Sequence, residues 1–373
     1  MTAWARAIKT GWVVDGAVPG PDVDEFAEPA EVAAALAGTR KATLLAVQHP
    51  HRTPEARARQ LSLAEALPGA RRTLDELLAT AYHQVHDVVA VYEVAGRAIG
   101  VLCLIDPAAV DEQVRHSEQV YPDIVAERAA MLTGLGRATS AAMLVPVGDG
   151  AELTAAAGRA VAGQPPAVST PDSHRLWLLG PGPAQDELLD AVRRRPLLVA
   201  DGNHRVAAAA AAGSPLLALV TAGPHLRIGA IHRTLVGTGL TSADLAAAWR
   251  RTGLVVHEAA DPAPPREPGT VTVPPNLVVD LPASEGPLPR IDHAVVEDLL
   301  IADALGLDPG GPHVRVLPEG HDPGPDADAV LQLAPVPLAD VLAVHEQGRL
   351  MPRKSTYFTP KPRSGLLVAD LTG

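Results

Sequence analysis

The residues of this chain best suited to chemistry stand together in Asp201-Gly202-Asn203-His204-Arg205. The carboxylate can accept a proton or hold a metal ion, and the His204 imidazole can pass a proton on. The Arg205 guanidinium can grip an oxyanion with two parallel N–H donors. Before them, Pro196 to Ala200 is an unbroken apolar run and predicts a buried strand. Asp-Gly then predicts a turn, Asn203 a helix cap, and Val206 to Ala212, closed by Gly213, a helix. A strand would thus deliver Asp201, Asn203, His204 and Arg205 to a helix N-terminus, where amides and dipole favour phosphate or carboxylate. The plainer reading is a capped turn carrying a solvated His-Arg pair, and the local pattern leaves both open.

Three His-Arg pairs, His174-Arg175, His204-Arg205 and His232-Arg233, fall at predicted strand edges or helix starts. Functionally, Arg175, Arg205 and Arg233 would converge on phosphate oxygens; alternatively, an Arg-rich composition scatters such pairs. Lys354-Ser355-Thr356 joins a point charge to two hydroxyls, which suits a phosphate or a metal ion. It lacks the glycines of a Walker-type loop, and a basic turn before a final strand is the alternative. Glu118 and Glu127 lie in and beyond the polar stretch Asp111 to Asp123. Either, like Asp201, could take a proton from an alcohol or hold magnesium. Gln48-His49-Pro50-His51-Arg52 offers alternating histidines to a metal, or is a solvated loop. With no G-x-S-x-G elbow, H-E-x-x-H helix or G-x-G-x-x-G after a strand, serine hydrolase, zinc protease and Rossmann dehydrogenase lose their usual support.

The elements that must position these groups read as an α+β fold, mixed sheets with surrounding helices. Asp87 to Glu93 and Arg97 to Asp106, around Val94-Ala95-Gly96, predict a hairpin. Thr43 to Val47, Met143 to Val147, Ser173 to Leu178, Leu216 to Val220 and Ile228 to Val236 predict further strands. Ala151 to Ala162, Ala184 to Arg195 and a Ser-capped Ser242 to Thr252 predict helices, and the proline-rich Asp261 to Pro275 a long loop. A chain of 373 residues predicts two domains, placed at 1–165 (an N-terminal α+β region) and 166–373. An apolar content of 47% suffices for a sizeable core. The abundance of Ala, Pro and Arg is that of a GC-rich bacterial genome and says nothing of function. A net charge of −12 argues against a nucleic-acid partner, which calls for a basic surface. Cys103, alone in an apolar run, reads as core and excludes an intramolecular disulfide or a multi-cysteine zinc site. Neither a signal peptide nor an apolar span of about 20 residues is visible, so a cytoplasmic protein without membrane segments is expected.

His174-Arg175-Leu176-Trp177, Asp201 to Arg205, His232-Arg233, Met351 to Lys361 and Ser364-Gly365-Leu366 follow the order found in the bacterial DUF ten-fifteen family. The chain resembles that family from about residue 85 onward. It departs from the pattern at Asn203, where a second His is usual, at Ser117-Glu118 for His-Glu, and at Glu127-Arg128 for Asp-Arg. The Asp-Gly-x-His-Arg motif is similar to the phosphate-binding motif of the ParB/sulfiredoxin-like fold, which includes partition proteins, sulfiredoxins and free-serine kinases. The resemblance implies such a core and a kinase that uses ATP or ADP with magnesium on a small hydroxylated metabolite, free serine among the candidates. On that reading Gly202, Asn203, His204, Arg205, Arg175, Arg233, Lys354, Ser355 and Thr356 hold the nucleotide. Glu118, Asp201 and His204 act in catalysis, with Asp201 also on the metal. The alternatives are a nucleotide- or anion-binding regulatory protein without turnover and a ParB-like DNA-associated protein.

Overall fold

Side chains alternate between two cores along the strand Tyr82–Val94. Val88, Ala90 and Tyr92 enter one core with Leu74, Leu77 and Met131, while Val89 and Val91 enter another with Leu188, Leu197 and Val206. Successive strand residues point to opposite faces, so this alternation means a sheet covered on both sides. The computed structural model describes residues 3–23, 29–39, 41–94, 96, 98–148, 150–223, 226–283, 286 and 288–372. The chain divides into two units. Met1–His116, Val120–Leu226 and Pro360–Gly373 form the first, and Ser117–Gln119 with Arg227–Thr359 the second. A division at 165/166 would fall inside the first unit.

In the first unit the main strands are β1 (Ile8–Val14), β2 (Tyr82–Val94), β3 (Ala98–Ile105), β4 (Val114–Arg115), β5 (Ala142–Pro146), β6 (His174–Leu179), β7 (Leu197–Asp201) and β8 (Leu216–Thr221). They run β4-β7-β5-β8-β3-β2-β1 across one sheet, continued by the terminal strand Leu367–Asp370, and β6 also pairs with β2. The expected hairpin is β2–β3, antiparallel from Ala90↔Leu102 to Val94↔Ala98, with Ala95 and Arg97 outside the described residues. The strands expected from Met143, Ser173 and Leu216 are β5, β6 and β8. Cys103 lies fully buried in β3. Four helices matter below: α1 (Leu44–Gln48), α2 (Leu63–Ala81), α3 (Pro122–Leu135) and α4 (Asn203–Ala211). The first corrects the strand expected over Thr43 to Val47. A short apolar run fits either state, and Thr43 decides it by accepting a hydrogen bond from the Ala46 N–H at 3.1 Å as an N-cap.

The second unit holds two three-stranded sheets and a short ribbon. Ile231–Val236 lies between Val314–Pro318 and Ala327–Leu331, Leu277–Asp280 lies between Val255–Glu258 and Thr270–Val273, and Arg227–Gly229 pairs with Tyr357–Thr359. The alternating run Thr270–Val273 is a strand, so it interrupts the loop expected over Asp261 to Pro275. Helix Ser242–Arg251 is capped by Thr241 rather than Ser242, in a reciprocal box with Asp244. Trp249, Leu235, Val271, Val279, Leu300 and Leu331 form the core, where Trp249 Nε1 donates to the Leu300 carbonyl at 3.0 Å. The architecture is mixed α and β, in line with the α+β reading. No helix among the described residues is long and apolar enough to cross a membrane.

Trp249 is fully buried and its indole N–H is spoken for. Trp249→Ala should therefore destabilise the second unit by about 3–5 kcal/mol, seen as an earlier denaturant transition. A shift under about 1 kcal/mol would contradict this core.

Candidate functional site

β7 is apolar and buried up to Ala200, and its register against β5 shifts between Val199 and Asp201. Such irregularities re-aim side chains at strand ends. Gly202 follows with φ 92°, a left-handed conformation that glycine enters without a Cβ penalty, and opens α4. Gly202 is therefore the cap, and Asn203, expected to cap, is the first helical residue. The Arg205 guanidinium folds back over Gly202, where a Cβ would come within 2.7 Å of its Nε. Its terminal nitrogens donate to Asp201 Oδ2, Ser140 Oγ and the Ala141 carbonyl, the last at 2.6 Å. Lys361 Nζ donates to the other Asp201 oxygen at 2.9 Å. Asp201 thus lies between two cations with both oxygens engaged. That makes it a fixed counter-charge, and the metal-ligand and base roles expected of it do not fit this arrangement.

Around the same helix start, the buried Asn203 presents Oδ1 to His116 Nδ1 at 3.2 Å. The Tyr121 N–H donates to His204 Nε2 at 3.0 Å, and the two rings stack with centroids 5.8 Å apart. Accepting at Nε2 leaves the neutral His204 ring its proton on Nδ1. Arg175, by contrast, sits on β6, five strands from β7 in the sheet order, and pairs across strands with Glu93 at 3.3 Å. Arg175 and Arg205 therefore do not converge on one phosphate. His174 joins a separate network, with Nδ1 at 2.6 Å from the Tyr92 hydroxyl and Nε2 at 3.2 Å from Asp172. Burial pulls its pKa below the ordinary histidine value.

In the second unit, Glu118 is wrapped by the Lys354–Thr356 loop. Its carboxylate accepts from the N–H groups of Lys354 (3.1 Å) and Thr356 (3.3 Å) and from Thr356 Oγ1 (2.8 Å). Lys354 takes a left-handed φ of 52° in making that turn, a strained state for a side-chain-bearing residue. Burial still raises the Glu118 pKa above the usual carboxylate value, against the opposing pull of Thr356 and Lys354. Ser355 is fully buried and donates to the Pro352 carbonyl at 2.7 Å, so its hydroxyl fastens the turn instead of facing a ligand. Arg233, 1% exposed, pairs with Glu297 at 2.6 Å and donates to the carbonyls of Arg353 and Lys354. Its charge is used inside this unit to fix the same loop.

Sequence reasoning missed Lys361, Ser140, Tyr121 and the partnership of His116. Lys361 was visible only as part of the terminal motif, since its partner lies 160 residues away. It also undervalued His49, His51, Arg52 and Arg128, whose charges act on one another in the first unit. No group of three or more His, Cys, Asp or Glu suited to a metal occurs among the described residues.

The family model described as a protein of unknown function (DUF1015) matches residues 25–273, more than half of the chain, and the chain belongs to that family. The match reaches N-terminal residues outside the resemblance and stops before Met351 to Lys361. No curated protein matches the chain. Among solved structures, a free serine kinase in complex with AMP is similar at 12% identity, over 71% of this chain and 92% of that one, with TM-score 0.40. A conserved hypothetical protein from Pyrococcus furiosus gives 12%, 70%, 93% and 0.38. SbnI with C-terminal truncation from Staphylococcus aureus gives 11%, 72%, 87% and 0.39. At these TM-scores the likenesses carry no argument about this chain.

Two outcomes follow from the geometry. Gly202→Ala should cost at least about 1 kcal/mol in thermal or denaturant unfolding, because a Cβ meets both the left-handed backbone and Arg205; unchanged stability would contradict the turn. Glu118 has a folded-state pKa raised above its unfolded value, so it penalises folding increasingly as pH climbs from the unfolded pKa through the folded one. Glu118→Gln should remove that decline, so the stability difference between wild type and variant should move with pH above about 4.5. A difference that stays constant from pH 4 to 8 would contradict the raised pKa.

Proposed function

We propose that this DUF1015 protein is a nucleotide-dependent phosphotransferase, a kinase that moves a phosphoryl group from ATP or ADP to a small hydroxylated metabolite such as free serine. The observation that supports it most directly is the Asp201 turn, where a glycine-opened helix start, Lys361 and His204 come together after a buried strand. Phosphoryl transfer asks a protein chiefly for positioning and charge stabilisation. The positive end of α4 and the Lys361 ammonium would hold nucleotide phosphates, with Asp201 fixing that ammonium in place. The turn would be the phosphate-binding part of a ParB/sulfiredoxin-like core. His204, at the same helix start, is the group of this turn suited to handle the acceptor's hydroxyl proton, whereas both Glu118 oxygens are engaged by the Lys354–Thr356 loop of the other unit. Magnesium binds through one or two carboxylates plus substrate phosphates, so it would enter on the nucleotide and not through Asp201.

One observation favours a second reading, a nucleotide- or anion-binding protein without turnover. Arg205 spends its terminal nitrogens on Asp201, Ser140 and Ala141, which makes it a brace for the turn. A DNA-associated role is disfavoured by the net charge of −12.

Calorimetry with ATP and ADP plus magnesium, coupled to a turnover assay over hydroxylated acceptors, separates these. Nucleotide affinity should fall tenfold or more in Lys361→Ala, about 1.4 kcal/mol. Turnover should be lost in His204→Ala while the fold persists. Binding without product on any acceptor would favour the second reading, and no binding by the wild type would overturn both.

A further inference from the structure

Tyr92, on β2, is buried, and its hydroxyl meets two partners within the first unit. The Arg363 N–H donates to it at 2.9 Å, and His174 Nδ1 lies 2.6 Å away. β2 and β6 pair with Val94 opposite His174 and Tyr92 opposite Leu176, so Tyr92 and His174 are diagonal neighbours on one face. His174 Nε2 faces Asp172 Oδ2 at 3.2 Å, an acceptor only, so the neutral ring carries its proton there. Nδ1 is then left to accept from the Tyr92 hydroxyl. Burial keeps both groups neutral, raising the Tyr92 pKa above the ordinary phenol value and lowering that of His174. The Thr170 hydroxyl accepts from the His174 N–H at 3.0 Å and fixes the turn that carries Asp172. Asp172 closes the ring by pairing with the Arg363 guanidinium, to which Asp22 adds a second carboxylate at 3.7 Å.

Arg363 stands two residues from Lys361, in Pro360-Lys361-Pro362-Arg363. Residues 361–365 belong to no helix or strand, so other contacts must hold them. Proline fixes its own φ and confines the residue before it to extended backbone, so the path from Arg363 back to Lys361 has little freedom. On the far side, the Gly365 N–H donates to the Thr139 carbonyl at 2.8 Å. We propose that Tyr92, His174 and Asp172 are positioning residues, which clamp Arg363 and through it set the Lys361 ammonium on Asp201. The link runs from Asp172 through His174 and Tyr92 to Arg363, and ends at Lys361 Nζ, 2.9 Å from Asp201 Oδ1. An ammonium already held in place loses less freedom when a phosphate arrives, and binding gains by the difference. That consequence for the nucleotide rests on the phosphotransferase reading, and the clamp itself does not.

The lysines of the chain are Lys9, Lys41, Lys354 and Lys361, few enough for NMR of the lysine-labelled full chain to resolve each side chain. The Lys361 Cε–Hε signal, assigned through Lys361→Arg, should leave its wild-type position in Tyr92→Phe. It should also move in Asp172→Ala, a change at a side chain 40% exposed that leaves the core intact. His174→Leu should move it as well, whereas His174→Asn, whose Oδ1 can stand in for Nδ1, should bring it back. In calorimetry with magnesium, ADP affinity should be about three- to tenfold weaker in Tyr92→Phe, with no further loss when that change is added to Lys361→Ala. A Lys361 signal unmoved in Tyr92→Phe, or the same loss of ADP affinity with and without Lys361, would overturn the clamp. A Lys361 signal that responds as expected in a protein that binds no ADP removes the nucleotide reading alone. ADP binding with an unresponsive Lys361 signal removes the clamp alone.

Discussion

The Asp201 carboxylate, shared between Arg205 and Lys361, is the interaction on which the first unit's candidate site depends. Asp201 ends the strand, Arg205 belongs to the helix that follows, and Lys361 comes from the terminal segment, so one small group pins three parts of the chain. Its side chain is 15% exposed, a setting in which charges are only partly screened by water. The arrangement also explains why the turn needs glycine at 202, because the guanidinium occupies the space above it. Polarity at the helix start therefore has a structural task before any ligand arrives.

A buried guanidinium organises the other unit in a comparable way. Arg233 reaches Glu297 and two carbonyls of the loop that carries Lys354, Ser355 and Thr356. The loop then turns its amides onto Glu118. Arg233 acts on the chain, the chain on the carboxyl, and the carboxyl keeps its proton more tightly because little water reaches it. Arginine serves both units as a planar multi-donor that satisfies backbone carbonyls and a carboxylate together, which lysine cannot do.

Much of this was legible in the amino-acid order, and the exceptions have physical causes. The hairpin of β2 and β3 and the strand β7 follow from apolar runs bounded by turn residues. The stretch Leu44–Gln48 misled because a short apolar run fits a helix or a strand equally well, and Thr43 settles it through one hydrogen bond. The candidate residues at 201–205 could be found from their density, but their roles could not. Whether Arg205 faces a ligand or a neighbouring carboxylate depends on Ser140 and Lys361, which the fold brings from far along the chain. The same holds for His49 to Arg52, where a motif that reads as a solvated loop comes under the charge of Arg128 only after folding.

The order of synthesis meets an unusual demand here. Strand Leu367–Asp370 pairs with β1, matching Gly11 to Ala369, so the first sheet gains this strand only after the whole of Arg227–Thr359 has been made. The second unit, inserted ahead of that strand, can fold while the first waits. Its two ends are drawn together by the ribbon in which Arg227 pairs with Thr359. Once the insertion has folded, the chain leaves it beside the point where it entered, and most of the entropy of closing so long a loop has already been lost. The insertion then behaves toward the first sheet as a tight turn would, and the nascent chain's late strand has only a short path left to search.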